Sequence, residues 1–390
     1  MKLLMVWHAG GIETYRERIK ELSKKFDEII LLVPNKWNEG GKLVKSSDIL
    51  LAENCKIVCG KTLFNFHAST YIFTTTLIKI LKDFKPDIIH IHEEPWSLSA
   101  FQLFLYTKIL KINSKLIIDS AAISLTKKPI FFSKIEKVMY KHTDIIFARN
   151  HEVSNIVKKR GYKKSIHILP NGVDTNNFKV MSDREILDAK QKEGIWKNKI
   201  IVSYIGRMVK EKGIFDFIEA AEELLKKDEN KYGFIMVGSG PEFERVRTVL
   251  KGKGIDKYFI LNTRVASDQM PKFMNLIDLL VLPSHSMPNW KEQFGRVLVE
   301  AMACGKPVLG SNSGAIPEVV GNKKYIFEQG NISQLVNKVE GIIADFSEFK
   351  EISIRNRLRV ESKYSWYALS DYYYNVIYSE LIQKNLRSEN

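Results

Sequence analysis

Short runs of apolar and β-branched residues, each leading through a turn into a helical stretch, recur along most of this chain. The first series is Leu3–Trp7, Glu28–Val33, Asp87–His92, Lys115–Asp119, Asp144–Ala148 and Ser165–Leu169. The second is Lys199–Ile205, Gly233–Val237, Tyr258–Leu261, Leu279–Leu282 and Pro307–Leu309. Strands that are apolar along their whole length are buried on both faces, the condition of parallel sheet covered by helices. Amphipathic stretches such as Glu13–Lys25, Ile214–Lys227 and Arg296–Cys304 supply those helices. Two such series predict an α/β chain with two doubly wound parallel-sheet domains, which 390 residues can fill. The junction falls in the polar stretch 171–198, giving expected domains of 1–175 and 176–365. The aromatic tail from about 366 to 390, with Trp366, Tyr367, Tyr372, Tyr373, Tyr374 and Tyr378, is expected to pack back on the first domain as a helix.

No apolar run reaches the ~18 residues of a membrane span. The opening Met1-Lys2-Leu3-Leu4-Met5-Val6-Trp7 resembles a leader but stops at His8 and Gly10-Gly11, so it reads as a first buried strand. Cys55, Cys59 and Cys304 form no disulfide framework and suit a reducing cytosol. They lie near no His or Cys cluster, and the histidines have no metal-binding spacing, so no metal site is expected. The net charge of +15 is dominated by lysine, which genome composition alone can produce. Its distribution is uneven: residues 101–180 carry +10, against +3 in the whole of 181–390. A basic surface on one domain favours an acidic partner: anionic lipid, a nucleotide-linked substrate or nucleic acid.

Open parallel sheets bind ligands beyond the carboxyl ends of their strands. Applied here, that rule selects Gly10-Gly11, His92-Glu93-Glu94, Ser120 and Asn150-His151 in the first domain. In the second it selects Gly206-Arg207, Gly238-Ser239-Gly240, Ser284-His285 and Ser311–Gly314. Arg207 and Lys212, beside a helix start, suit a diphosphate, although a solvated lysine after a Gly-Arg turn is common. The densest segment runs from Trp290 to Val308. In it Glu292 sits in a loop and Glu300 on the helix that follows; each is either a ligand for sugar hydroxyls or an ordinary surface or paired acid.

Taken in order, these motifs resemble the retaining glycosyltransferases of family 4, which have two facing Rossmann-like domains, the GT-B fold. The resemblance covers nearly the whole chain. It rests on Ala9-Gly10-Gly11, on Pro86–Glu93, on Leu169–Asp174 with Phe178, on Gly206-Arg207 with Lys212-Gly213, on Pro283-Ser284, on Glu292, Phe294-Gly295 and Glu300, and on Gly314 with Pro317-Glu318. It implies that Arg207 and Lys212 bind the diphosphate of a UDP- or GDP-linked sugar. Glu300 would hold the ribose, Glu292 and the Phe294-Gly295 backbone the sugar, and Gly11 would approach the phosphates. Glu292, Arg207 and Lys212 are therefore the catalytic candidates. Gly10, Gly11, Gly206, Gly238, Arg264, Val265, Phe294, Gly295, Val297 and Glu300 are the donor-site candidates. Many relatives carry a histidine after the strand matching Lys115–Asp119, where this chain has Ser120; His92, Glu94, Asp119 and Ser120 are the acceptor-side candidates. No Asp-x-Asp is present, so metal-independent transfer without a cofactor, to a glycan or lipid-linked acceptor in cell-surface polysaccharide synthesis, is the implied function. A nucleotide-sugar epimerase or a phosphorylase of the same fold, and a basic nucleic-acid-binding module, are the competing readings. The last has no recognised module, so no nucleic-acid partner is expected.

The segment from Lys127 to Lys141 is basic and enters a helix after Pro129. Lys127, Lys128, Phe131, Phe132, Lys134 and Lys137 read either as an ordinary amphipathic helix or as a peripheral patch on the inner membrane face.

Overall fold

A computed structural model describes the chain except for residues 40, 41, 66, 123–127, 289, 345 and 384–390. The chain divides into two units, Met1–Pro170 with Trp366–Asn390, and Asn171–Ser365. The sequence boundary at 175 shifts to 170 because residues 171–175 are tied to the helix Phe346–Lys363 and the residues after it. Val173 N–H donates to the Tyr364 carbonyl at 2.8 Å, and the Arg357 guanidinium donates to the Thr175 carbonyl at 3.0 Å.

The first unit is built on β1 (Lys2–Val6), β2 (Glu28–Pro34), β3 (Ile49–Ala52), β4 (Cys55–Gly60), β5 (Ile88–Ile91), β6 (Lys115–Ser120), β7 (Ile145–Ala148) and β8 (Ser165–Ile168). Their order across the sheet is β8-β7-β6-β5-β1-β2-β4-β3, and every pair is parallel except β3 with β4. Strand burial on both faces follows from the sequence: Leu4, Val6, Ile30, Leu32, Ile89 and Ile118 enter one core, whereas Leu3, Met5, Ile29, Leu31, Ile88 and Ile117 enter the other. The sequence reading missed β3, β4 and the hairpin Lys36–Glu39 with Lys42–Lys45. These lie at or beyond the sheet edge, where Lys56, Leu43 and Leu50 stay exposed and the continuous apolar signal fails.

The second core holds the helix Trp366–Ile377, through Trp366, Leu369, Tyr373, Val376 and Ile377, together with the helix Arg16–Ser23. The returning helix also reaches a polar centre. Tyr373 OH lies 2.9 Å from His90 Nδ1, and His90 Nε2 lies 2.9 Å from Asp119 Oδ1. Burial lowers the His90 pKa, so the ring is neutral: it donates from Nε2 to Asp119 and accepts from the tyrosine hydroxyl.

The second unit contains β9 (Ile200–Ile205), β10 (Tyr232–Val237), β11 (Phe259–Asn262), β12 (Leu279–Leu282), β13 (Val308–Ser311) and β14 (Ile326–Phe327), in the order β11-β10-β9-β12-β13-β14, all parallel. In both sheets the chain reverses its direction of strand addition beside the first strand. The crevices therefore open between β1 and β5, and between β9 and β12.

Tyr373→Phe leaves a buried imidazole acceptor unpaired and is expected to cost about 1–3 kcal/mol. Urea unfolding of the full chain reads this as an earlier transition. An unchanged midpoint would show that the tyrosine–histidine contact does not hold the returning helix.

Candidate active site

The loops after β9 and β12 meet at the switch point of the second sheet. After β9 the chain passes Gly206 and Arg207, makes a short 3-10 turn at Lys210–Lys212, and enters the helix Ile214–Lys227 at Gly213. Gly213 has φ +67°, and a Cβ there would lie 1.8 Å from the Pro283 carbonyl oxygen, so only glycine lets this turn abut the end of β12. The result is a close ion pair: Lys212 Nζ is 2.5 Å from Glu292 Oε2, both side chains being mostly buried. Ser284 Oγ donates to the same carboxylate oxygen at 3.1 Å, and the Lys212 ammonium lies 5.3 Å from the centre of the Trp290 ring. A third loop completes the cradle. Ala315 N–H donates to the Glu292 carbonyl at 2.8 Å, and Gly314, at φ +53°, leaves no room for a Cβ beside that carbonyl.

Arg207 is different. Its side chain is 69% exposed and its Nη2 is 3.5 Å from Glu211, so the guanidinium is free to turn toward a ligand. Gly206, Gly238, Arg264 and Val265 follow β9, β10 and β11 at the same sheet edge. Arg264 is exposed, and Val265 packs partly against the core. Gly295 caps the helix Arg296–Ala303. The Phe294 side chain is buried against Tyr364 and Val297 packs on the core, so at these two positions the backbone is what a ligand can use. Glu300 accepts from Arg296 Nε at 3.1 Å, and burial raises its pKa. His285, which the strand-end rule selects, has its Nε2 2.6 Å from Asp216 Oδ2.

In the first unit the switch point is bridged by His8 and Glu93, from the ends of β1 and β5, with Nδ1 and Oε1 2.6 Å apart. Tyr71 OH donates to the same Glu93 oxygen at 2.8 Å. Glu93, which the strand-end rule selects with His92 and Glu94, is given no specific role by the sequence. Gly10 and Gly11 are buried, and Ser46 Oγ would lie 2.1 Å from a Cβ on Gly11, so a larger residue there would have to displace the Ser46 hydroxyl. His92 Nδ1 is 2.7 Å from Asp119 Oδ2, and Arg18 and Arg149 lie within 4.0 Å of that oxygen at 3.9 and 3.7 Å. Burial pushes the Asp119 carboxyl up, but the adjoining His92 and His90 rings and their hydrogen bonds hold it well below its usual range; burial lowers the His92 pKa. His90, His92 and Asp119 are spaced as metal ligands could be. The donor set does not suit a cation, because both His90 nitrogens are hydrogen-bonded and two guanidiniums already share Asp119. Glu94 accepts from Ser120 Oγ at 2.8 Å and from Ala121 N–H at 2.6 Å, and burial pushes its pKa up to about 7.

The basic segment is only partly a surface. Lys127 lies outside the described residues. Lys128 is a correction: its side chain is 12% exposed, its Nζ is 2.9 Å from Glu136 and it sits over the Trp96 ring. Phe132 is half-buried. On the helix Ile130–His142, Phe131, Lys134 and Lys137 are exposed, together with Ile130 and Val138.

Comparison with known proteins agrees with this architecture. The family model for glycosyl transferases group 1 matches residues 185–359, and that for glycosyltransferase family 4 matches 9–177. The N-acetyl-alpha-D-glucosaminyl L-malate synthase of Bacillus anthracis is 25% identical over 76% of this chain and 75% of its own length. The lipopolysaccharide 1,2-N-acetylglucosaminetransferase of Salmonella typhimurium is 30% identical over 52% of this chain and 53% of its own. Among solved structures, Anabaena HepE in complex with UDP and glucose superposes with a TM-score of 0.71 at 17% identity, covering 97% of this chain and all of that one. Each half of the chain thus matches its own family model in the order those halves take in the fold, and the chain belongs to the group 1, family 4 glycosyltransferases with the two-domain GT-B architecture.

Proposed function

We propose that this glycosyltransferase moves a sugar, with retention of anomeric configuration and without a metal, from a UDP- or GDP-linked donor to a lipid-linked or glycan acceptor of a cell-surface polysaccharide. The observation that carries the reading is the Lys212–Glu292 pair at the crevice between β9 and β12, with Arg207 exposed beside it. Two cations next to a strand-to-helix turn match a diphosphate, and the carboxylate paired with one of them matches sugar hydroxyls. The name of the Salmonella typhimurium relative, a lipopolysaccharide N-acetylglucosaminetransferase, supports an acceptor of this class, whereas that of the Bacillus anthracis relative names malate.

Chemically, the donor's C1–O bond to phosphate breaks while the acceptor oxygen bonds C1 on the same face. The acceptor proton passes to the departing phosphate oxygen. Arg207 and Lys212 stabilise the charge that grows on that oxygen, the term on which such a step depends most. Glu292, fixed by Ser284, orients the sugar, and no protein nucleophile takes part.

The acceptor would be met at an anionic membrane surface by the helix Ile130–His142. Ile130 and Phe131 are 76% and 59% exposed among Lys134 and Lys137, and Ile109 of the helix Leu98–Ile109 beside it is 69% exposed. No described helix is long and apolar enough to cross a membrane, so this contact would be peripheral.

Calorimetry with UDP and GDP tests the donor site. Arg207→Ala and Lys212→Ala should each weaken the preferred nucleotide about 10- to 150-fold, and activity should persist in excess EDTA. Unchanged affinity in both variants, or activity restored only by Mg²⁺ or Mn²⁺, would contradict the clamp. Vesicle co-sedimentation tests the membrane contact. Binding should require acidic lipid, and Lys134→Gln with Lys137→Gln should reduce it about 10- to 30-fold, at about 1 kcal/mol per lysine. A wild type that ignores acidic vesicles at low salt would make the acceptor soluble.

A further inference from the structure

Trp290 stands at the site and has no role so far. It stands two positions before Glu292, and its ring centre is 5.3 Å from the Lys212 ammonium, which in turn holds the Glu292 carboxylate at 2.5 Å. The backbone presents it firmly. Met287 N–H donates to the Trp290 carbonyl at 2.7 Å, and Trp290 N–H returns a bond to the Met287 carbonyl at 3.2 Å, an antiparallel bridge between these two residues. The segment is pinned at its root, where Ser286 N–H donates to Gln329 Oε1 at 2.7 Å and Ser286 Oγ is 3.0 Å from Ser313 Oγ.

Its environment does not supply a packing reason. The side chain is half-buried and belongs to neither the core of the second unit nor the residues packed on it. Among the described residues no other aromatic ring stacks on it and its indole N–H has no hydrogen-bond partner. A flat apolar face with one free polar edge, next to a fixed carboxylate, has the make-up of a binding-site wall. A pyranose presents a matching surface: a patch of axial C–H groups flanked by hydroxyls.

We propose that Trp290 is a specificity-determining residue of the donor-sugar pocket, packing its indole against the pyranose ring while Glu292 takes the hydroxyls. This rests on the donor reading given above. It assigns the sugar, and not the nucleotide, to the Trp290 segment. The cation over the ring has a second effect: Lys212 is held between an acid and an aromatic face, so replacing the indole frees Lys212 without removing its charge.

Calorimetry on the full chain separates the two halves of the donor. UDP, GDP, UDP-glucose, UDP-N-acetylglucosamine and GDP-mannose are titrated into the wild type, and the tightest nucleotide sugar is compared with its own nucleoside diphosphate in the variants. Trp290→Ala should weaken the nucleotide sugar about tenfold and leave the diphosphate within about twofold, whereas Trp290→Phe should keep the sugar within about threefold. The ranking of the sugars should also flatten in Trp290→Ala. If that variant does not fold, Trp290→Leu keeps bulk without a flat ring or N–H and reads the same difference. Equal loss for sugar and diphosphate would show that Trp290 only props Lys212, and no loss for either would remove it from the site; both overturn the proposal. A wild type that binds no nucleotide at all would instead overturn the donor reading on which it rests.

Discussion

The Lys212–Glu292 ion pair is the contact on which the candidate site depends. It joins the loop after β9 to the loop after β12, the two that border the crevice of the second sheet. A mostly buried pair of this kind gains stability only if its remaining lone pairs and protons are met, because desolvation opposes it. Ser284 meets one carboxylate lone pair, the Trp290 ring faces the ammonium, and the two glycines at 213 and 314 let three loops close around the pair. The pair is therefore best understood as set by the surrounding backbone, with two opposite charges held apart from water and ready to exchange partners with a ligand that carries both phosphate and hydroxyl groups.

The first unit has the complementary arrangement, with Asp119 as its centre. One carboxylate, on β6, faces two neutral imidazoles from β5 and its end, and two guanidiniums from the helix Arg16–Ser23 and the loop after β7. Tyr373 of the returning helix joins the same network through His90. Polar networks buried at this depth are costly when incomplete and specifying when complete. Here the network fixes the registry of the helix Trp366–Ile377 against the strands whose carboxyl ends carry Glu93, Glu94 and Ser120. Glu94, with its pKa pushed up to about 7, is the acid at this edge whose charge changes near neutrality.

Much of this was legible in the residues, for a physical reason. Strands buried on both faces must be apolar throughout, so β1, β2, β5, β6, β7, β9, β10 and β12 announce themselves, and the strand-end rule then marks Arg207, Ser284, His92 and Ser120 without any side-chain geometry. The edge strand β3, and β4 beside it, carry no such demand and were missed. Contacts that depend on how loops fold over one another were also hidden: the Ser284–Glu292 bond, the Trp290 ring over Lys212, and the burial of Lys128 against Glu136 and Trp96, which removes it from the basic surface. Charge counting treats every lysine as exposed. The structure assigns some of them to internal acids.

The most direct measurement of the central claim is a double-mutant cycle on donor binding with Lys212→Met, Glu292→Gln and the double variant, each titrated with the nucleotide sugar that the wild type binds best. If the pair is one preset unit, removing either partner alters what the other contributes, and the cycle should give a coupling of about 1 kcal/mol or more. Changes that add within about 0.5 kcal/mol would show two residues acting independently, and would contradict the account.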